Sequence, residues 1–451
     1  VKGKKELFGT NGVRGVVGDS MGPELVLRIG QALGAMRPGT IAVGRDSRSS
    51  GAMLVHAMKA GLLASGCSVV DCGILPTPAL QFIVRGRFAA GAMITASHNP
   101  PEYNGVKVIE ADGTEMGDEE VIALEERLGS GSYSLADWRG IGDEEDGSGL
   151  VDRYIDGILA HFPPGAGRGM TVAVDPGAGA ACRTTPRLLE RMGATVHAIN
   201  ATFDGTFPNR LPEPTPAGLA PLAALVRETG AAFGVAHDGD ADRAVFVDDR
   251  GRYVEENREF ALIAHHVCRE RTGVIVTPVS TSQLIEDVAA ATGCTVRYTP
   301  VGSIYVARSM LDLIAHGTDV AFGGEGNGGL IYPDHQFCRD GGMTTAMMVA
   351  LLARTGRPLS ELIDALPPYH FISEKKKSSR IDEIVPAVVA AFPDHSADLT
   401  DGVRIAKEKT WALVRRSGTE PIVRVMVEAP DRAGAEAMRD AVLAVIRPFL
   451  D

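Results

Sequence analysis

Three aspartates, Asp238, Asp240 and Asp242, alternate with small residues in the run His237-Asp-Gly-Asp-Ala-Asp-Arg243. Carboxylates this close repel one another unless a cation neutralises them, so a hard, oxygen-seeking divalent ion is the economical occupant. Two rival readings remain: a solvated acidic turn, and a phosphatase whose first aspartate is the nucleophile. An EF-hand calcium loop fits worse, because Arg243 stands where that loop needs its sixth-position glycine and the flanks read as strands. Ser97 lies in a second polar run, Thr95-Ala-Ser-His-Asn-Pro100, where Asn-Pro favours a tight turn. Most such serines are structural. Beside a metal site the case changes, since a divalent cation lowers the repulsion between a serine-bound phosphate and an incoming nucleophile.

Three further segments carry groups suited to anions. Arg415-Arg-Ser-Gly-Thr-Glu-Pro421 offers Arg415 for two phosphate oxygens, the hydroxyls of Ser417 and Thr419, and Gly418 for a backbone nest. A plain polar hairpin loop is an equally good reading of that segment taken alone. Phe8-Gly-Thr-Asn-Gly-Val-Arg14-Gly15 is a glycine-relieved loop presenting one arginine. Tyr103-Asn-Gly-Val-Lys107 follows Ser97 closely enough for the lysine to return to the same cleft.

The elements that must position these groups repeat. Thr40–Asp46, Thr171–Pro176 and Gly273–Pro278 each open with a β-branched run and a polar turn. Helical spacing follows at Ala52–Leu63, Cys182–Met192 and Leu284–Ala291, and each stretch ends at a glycine (Gly66, Gly193, Gly293) that starts a new strand. A third strand is predicted at Ala90–Thr95, Ala231–Ala236 and Asp319–Gly323. Each leads into a polar loop: that of Ser97, that of the aspartates, and Gly323-Gly-Glu-Gly-Asn-Gly-Gly329. Ligands of α/β sheets bind beyond the carboxyl ends of strands, so the loops suggest one shared site. The pattern changes after about residue 366, with strands near Tyr369–Glu374, Thr410–Val414 and Ile422–Glu428 and helices near Ile381–Phe392 and Arg432–Ile446. The expected fold class is therefore α/β, with three related domains of mixed sheets sandwiched by helices and a C-terminal α+β domain. The expected limits are 1–150, 151–252, 253–366 and 367–451, with Gly129–Asp146 a surface connection.

A chain of 451 residues with 45% hydrophobic and 23% charged residues reads as an ordinary globular protein. No run approaches the roughly 18 apolar residues of a membrane span, and a signal peptide is not expected, because the basic residues of Val1–Phe8 have no apolar stretch behind them. A net charge of −12 argues against nucleic acid, whose phosphates demand a basic face. It does not exclude a small anionic substrate, because a few arginines in one cleft outweigh the global charge locally. The six cysteines show no metal-ligand spacing and suit reduced thiols, so a cytoplasmic location is expected.

Taken together, the Ser97 turn, the Asp238–Arg243 loop, the Gly-Glu loop at 324–329 and Arg415–Pro421 resemble the four signature motifs of the α-D-phosphohexomutase superfamily, in the family's order. The resemblance implies four domains around a central cleft and a phosphoserine at Ser97. It implies Mg²⁺ held by Asp238, Asp240, Asp242 and a phosphate oxygen on Ser97, with a sugar bisphosphate as activator. It further implies that Arg243, Ser303, Glu325 and Asn327 face the sugar, and that Arg415, Ser417, Gly418 and Thr419 hold the non-reacting phosphate. Arg14, His98 and Lys107 match family positions near the reacting oxygen. Two departures stand out. Gly329 replaces a histidine to which many members give a proton-transfer role, and Ser303 replaces a larger polar residue. With no histidine at 329, the proton falls to Arg14, His98 or Lys107. The opening Phe8–Gly15 and the Arg415–Pro421 loop look most like the phosphoglucosamine mutases; the alternatives are phosphomannomutase or phosphoglucomutase activity, a sugar-phosphate-binding protein, or a phosphatase. The expected partner is a hexose or hexosamine phosphate, and a homo-oligomer is compatible with the sequence.

Overall fold

The computed structural model of the chain describes residues 7–9, 11–417 and 422–451. The first sheet contains β1 (Val13–Val16), β2 (Thr40–Arg45), β3 (Ser68–Ile74), β4 (Ala90–Ile94), β5 (Tyr103–Glu110) and β6 (Glu144–Asp146), in the order β1-β5-β4-β2-β3-β6. β2 runs parallel to β3 and β4, whereas β5 is antiparallel to both β4 and β1. Helices α1 (Pro23–Met36), α2 (Gly51–Ala64), α3 (Thr77–Val84) and α4 (Asp118–Ser130) accompany it. Leu33, Leu54, Met58 and Leu62 from α1 and α2 join Ile41, Val43, Ala92 and Ile94 of the strands in one buried cluster. β2 and β4 read as nearly continuous apolar runs because helices shield a parallel sheet from water on its faces.

The second sheet holds β7 (Thr171–Asp175), β8 (Thr195–Ala198), β9 (Phe233–His237) and β10 (Ala244–Asp248), ordered β10-β9-β7-β8. β9 and β10 form its antiparallel edge, with α5 (Val151–Leu159), α6 (Thr185–Arg191) and α7 (Ala220–Thr229) in the same segment. Then come α8 (Glu256–Cys268), β11 (Val274–Pro278), α9 (Leu284–Thr292), β12 (Thr295–Thr299), α10 (Ser303–Ala315), β13 (Val320–Glu325), β14 (Gly329–Ile331), α11 (Gly341–Thr355) and α12 (Leu359–Asp364). β11 pairs in parallel with both β12 and β13. The last sheet is antiparallel throughout, β15 (His370–Lys377), β19 (Ile422–Ala429), β18 (Thr410–Arg416), β17 (Val403–Lys407) and β16 (Ser396–Asp398) side by side, with α13 (Ile381–Ala391) and α14 (Arg432–Ile446) on it. The architecture is thus mixed α/β with four sheets. Two compact units result: one contains the first two sheets with residues 327–363, the other β11–β13 and the fourth sheet.

Three local expectations need correction. The segment Gly129–Asp146 is not all connection: α4 runs on to Ser130, and Glu144–Asp146 pairs with β3 as an edge strand. Its three residues are all exposed, so no alternation of apolar and polar residues announces it. The helix expected over Cys182–Met192 is divided into a 3₁₀ turn at Ala180–Arg183 and α6 from Thr185. Pro186 lacks an N–H and has a preset φ, so it starts a helix in preference to continuing one. β16 and β17 went unforeseen: β16 is a three-residue edge strand, and β17 lies between it and β18.

Candidate active site

Antiparallel β4 and β5 bring Lys107 opposite Met93, and the pairing of β1 with β5 sets Arg14 opposite Gly105. Both cations therefore lie beside the loop that follows β4, which carries Ser97. Ser97 is buried and its backbone has φ +50°, a left-handed conformation rare outside glycine and worth about 1–3 kcal/mol of strain. The Thr95 hydroxyl accepts from its amide at 2.9 Å. The Arg14 guanidinium donates to Asn99 Oδ1 (2.9 Å) in the same loop. His98, adjacent to Ser97, puts Nδ1 3.4 Å from the serine Oγ and 3.8 Å from Glu213.

The aspartates occupy the turn joining β9 to β10, and all three are buried. Asp238 accepts from Ser97 Oγ at 2.9 Å and from Arg243 Nε at 3.2 Å. Asp240 Oδ2 accepts from Lys107 Nζ (2.7 Å) and the Thr77 hydroxyl (2.5 Å). Asp242 Oδ2 accepts from Lys107 (3.3 Å) and Arg339 (2.5 Å). Oδ1 of Asp240 and Oδ1 of Asp242 remain, buried and without a hydrogen-bond partner. One oxygen from each aspartate lies within 4.8 Å of the other two. Burial, followed by repulsion from Asp242, pushes the Asp238 carboxyl up to about 7. On Asp242 burial acts in the same upward direction, but Arg339 and Lys107 hold it well below the usual carboxylate range. An all-oxygen donor set with two orphaned oxygens fits a hard divalent cation.

The neighbouring His237 is structural. Burial holds it down to about 4, so the ring is neutral. Nδ1 donates to the Arg243 carbonyl (2.8 Å), which leaves Nε2 to accept from Thr185 (2.9 Å).

The structure therefore brings together Ser97, His98, Lys107, Arg14, the three aspartates and Arg243, whose guanidinium also pairs with both oxygens of Glu213 at 3.0 and 3.2 Å. Asn327 belongs to the same compact unit. Ser303, Glu325, Arg415 and Ser417 belong to the other. There Ser303 opens α10, Glu325 ends β13 and is buried, and Ser417 donates its amide to the Ile422 carbonyl. Gly418 and Thr419 lie outside the described residues. Asp401 was not foreseen: its Oδ2 accepts from Arg415 Nε (2.9 Å) and from the Val301 amide (3.0 Å), tying Arg415 to the loop before Ser303. No sequence spacing announces that link.

Arg339 was also missed, and it explains Gly329. A Cβ on Gly329 would lie 2.3 Å from Arg339 Cδ, so the arginine runs to Asp242 through space that any side chain at 329 would fill. Asp340 steadies the segment by capping α11 through the Met343 amide (2.9 Å) and accepting from Tyr154 and Gln336. An aspartate just before a helical apolar run was the available signal. Gly329→Ala should displace Arg339 and lower kcat/KM by about tenfold, roughly 1.4 kcal/mol of transition-state stabilisation. Steady-state kinetics beside a melting curve checks this; unaltered kinetics would mean that Arg339 is dispensable at Asp242.

Comparison with known proteins identifies the class. Residues 5–133, 152–251 and 255–369 match the phosphoglucomutase/phosphomannomutase alpha/beta/alpha domains I, II and III, and 374–445 match the C-terminal domain of the same family. The chain belongs to this family. It is 43% identical over 440 residues to a phosphoglucomutase/phosphomannomutase of Thermococcus kodakarensis, covering 94% of each chain. It is 38% identical to the phosphoglucosamine/phosphogalactosamine mutase of Sulfurisphaera tokodaii, covering 94% of this chain and 96% of that one. A crystal structure of a phosphoglucomutase/phosphomannomutase family protein from Burkholderia thailandensis superposes with a TM-score of 0.88 at 27% identity, covering 99% of this chain and 98% of the other.

Proposed function

We propose that this chain interconverts glucosamine 6-phosphate and glucosamine 1-phosphate by way of a phosphoryl group carried on Ser97. The observation that carries this reading is a buried serine hydroxyl 2.9 Å from one member of a carboxylate triad that has two orphaned oxygens. Asp238, Asp240 and Asp242 would hold Mg²⁺ together with a phosphate oxygen on Ser97. When bound, the ion supplies positive charge to the phosphoryl oxygens. Arg14 and Lys107 add fixed cations, and His98 lies beside the serine.

In the first transfer the bond from Ser97 Oγ to phosphorus breaks and a new bond to the sugar hydroxyl oxygen forms. The hydroxyl proton leaves to a group at this site, and the result is a bisphosphorylated sugar. That intermediate turns end over end, and its other phosphate returns to Ser97. Free sugar bisphosphate would therefore load the enzyme. Arg243, Ser303, Glu325 and Asn327 are assigned to the sugar, and Arg415, Ser417, Gly418 and Thr419 to the phosphate that does not react. The partners are small sugar phosphates in place of nucleic acid, and the location is the cytoplasm. No helix among the described residues is long and apolar enough to cross a membrane.

The glucosamine assignment is supported by the likeness to the Sulfurisphaera enzyme and by the opening and phosphate-loop motifs. A second reading, phosphoglucomutase or phosphomannomutase activity, is favoured by the higher identity to the Thermococcus protein. The deciding measurement is kcat/KM for glucosamine 1-phosphate, mannose 1-phosphate and glucose 1-phosphate on one preparation with Mg²⁺ and a hexose bisphosphate. Glucosamine 1-phosphate is expected to lead by tenfold or so, about 1.4 kcal/mol. A lead of that size for mannose or glucose 1-phosphate overturns the assignment and leaves the mutase chemistry standing.

A further inference from the structure

Arg48 follows β2 in the run Gly44-Arg-Asp-Ser-Arg48, which the motifs above do not include. Its side chain is fully buried, an uncommon state for an arginine. Every N–H of the guanidinium is used. Nε donates to Asp46 Oδ2 at 3.1 Å. One terminal nitrogen donates to the carbonyls of Pro100 (2.6 Å) and Tyr103 (2.9 Å), the other to those of Ser97 (2.9 Å) and Asn99 (2.6 Å). Four carbonyls of the serine loop thus converge on one cation. Asp46 is equally buried; it also accepts from the Thr95 hydroxyl at 2.6 Å, the same oxygen that accepts from the Ser97 amide. From the second domain, the Phe207 ring lies 5.4 Å from the guanidinium carbon.

Ser97 is consequently held at both ends of its own peptide units: its amide through Thr95 and Asp46, its carbonyl by Arg48. That grip acts on the residue whose left-handed φ an alanine, serine or any other L residue adopts reluctantly. Left to itself, the loop would relax toward a commoner conformation and carry Oγ away from Asp238. We propose that Arg48, acting with Asp46 and Thr95, is the positioning residue that keeps the Ser97 side chain aimed at the aspartate triad. It touches neither the sugar nor the reacting oxygen. This inference rests on the reading that Ser97 carries the phosphoryl group.

The test uses the full chain with Arg48→Lys and Thr95→Val. Lysine keeps the charge and most of the volume but lacks the planar fork, and it cannot serve four carbonyls and Asp46 together. Valine removes only the hydroxyl. Three readouts are taken: the melting curve, phosphate on the Ser97 peptide by mass spectrometry after treatment with glucose 1,6-bisphosphate, and the single-turnover rate of phosphate transfer to hexose 1-phosphate. Displacement of a reacting group by about 1 Å costs on the order of 100-fold in rate, so Arg48→Lys should slow transfer by about that factor and Thr95→Val by about tenfold. KM for the sugar phosphate should stay within about twofold, because the groups assigned to the sugar are elsewhere. Amide hydrogen exchange in the peptide 95–104 should quicken in both.

A folded Arg48→Lys protein with the wild-type transfer rate overturns the proposal. So does a fall in rate matched by an equal rise in KM. If Arg48→Lys does not fold, Thr95→Val decides: slowed transfer at unchanged KM supports the proposal, and a wild-type rate overturns it. Ser97→Ala run in parallel separates the two ideas. Full activity there removes the phosphoserine itself, whatever Arg48 does.

Discussion

Replacing Ser97 with alanine is expected to lower kcat by about four orders of magnitude or more while leaving the fold intact. The substitution deletes one oxygen whose hydrogen bonds go to Asp238 at 2.9 Å and His98 at 3.4 Å. Arg243 still donates to Asp238, so no buried carboxylate is stranded. The left-handed backbone is about as costly for alanine as for serine, and its supports from Thr95 and Arg48 are backbone contacts that survive. The melting temperature should therefore stay close to wild type. In intact-mass and peptide spectra the wild-type protein should carry one phosphate at Ser97, and the variant none. Weak residual turnover would be compatible with a neighbouring residue taking the phosphate from free bisphosphate in place of Ser97. Full turnover would end the phosphoserine mechanism and return the site to the phosphatase and binding-protein readings.

Asp240→Asn is expected to cost about 100- to 1,000-fold in kcat, the range typical for losing a group that stabilises transition-state charge. Two effects act together. Oδ1 of Asp240 is one of the two orphaned oxygens, so an amide there removes a charged ligand from the cation site. Oδ2 also holds Lys107 at 2.7 Å, and that attraction weakens when the carboxylate charge is gone. Calorimetric titration with Mg²⁺ separates the two, since the first lowers Mg²⁺ affinity directly. Removing the metal from the wild-type protein with EDTA should abolish turnover, and added Mg²⁺ should restore it. A chelated enzyme running at its normal rate would turn the triad back into a structural acidic turn.

Much of this site was legible before any fold was known, and the reason is locality. The three aspartates fall on one turn, so their mutual repulsion and shared donor chemistry follow from spacing alone. The repeated strand–helix–strand pattern placed that turn and the Ser97 turn at the ends of strands, and β4 and β9 do end there, at Ile94 and His237. Gly66, Gly193 and Gly293 all take positive φ, as expected of residues that end helices and turn the chain. The misses share the opposite character. Arg48 meets the serine loop across some fifty residues, Thr77 meets Asp240 across 163, and Arg339 meets Asp242 across 97. Each was an unremarkable polar residue in its own neighbourhood.

Composition and motif order therefore determined the class of chemistry, the strand-end loops that carry it and most of the charged groups involved, because those properties depend on residue type and short spacing. Tertiary structure decided how the charges are shared. The antiparallel return of β5, with β1 pairing outside it, carries Lys107 and Arg14 to the loop after β4. Lys107 then joins Asp240 to Asp242, and Arg339 fills the space that Gly329 leaves open. Buried ions must find partners or pay a large desolvation cost, and those partners come from whatever segments the sheets bring within about 3 Å. That pairing is a property of packed surfaces, and no run of adjacent residues records it.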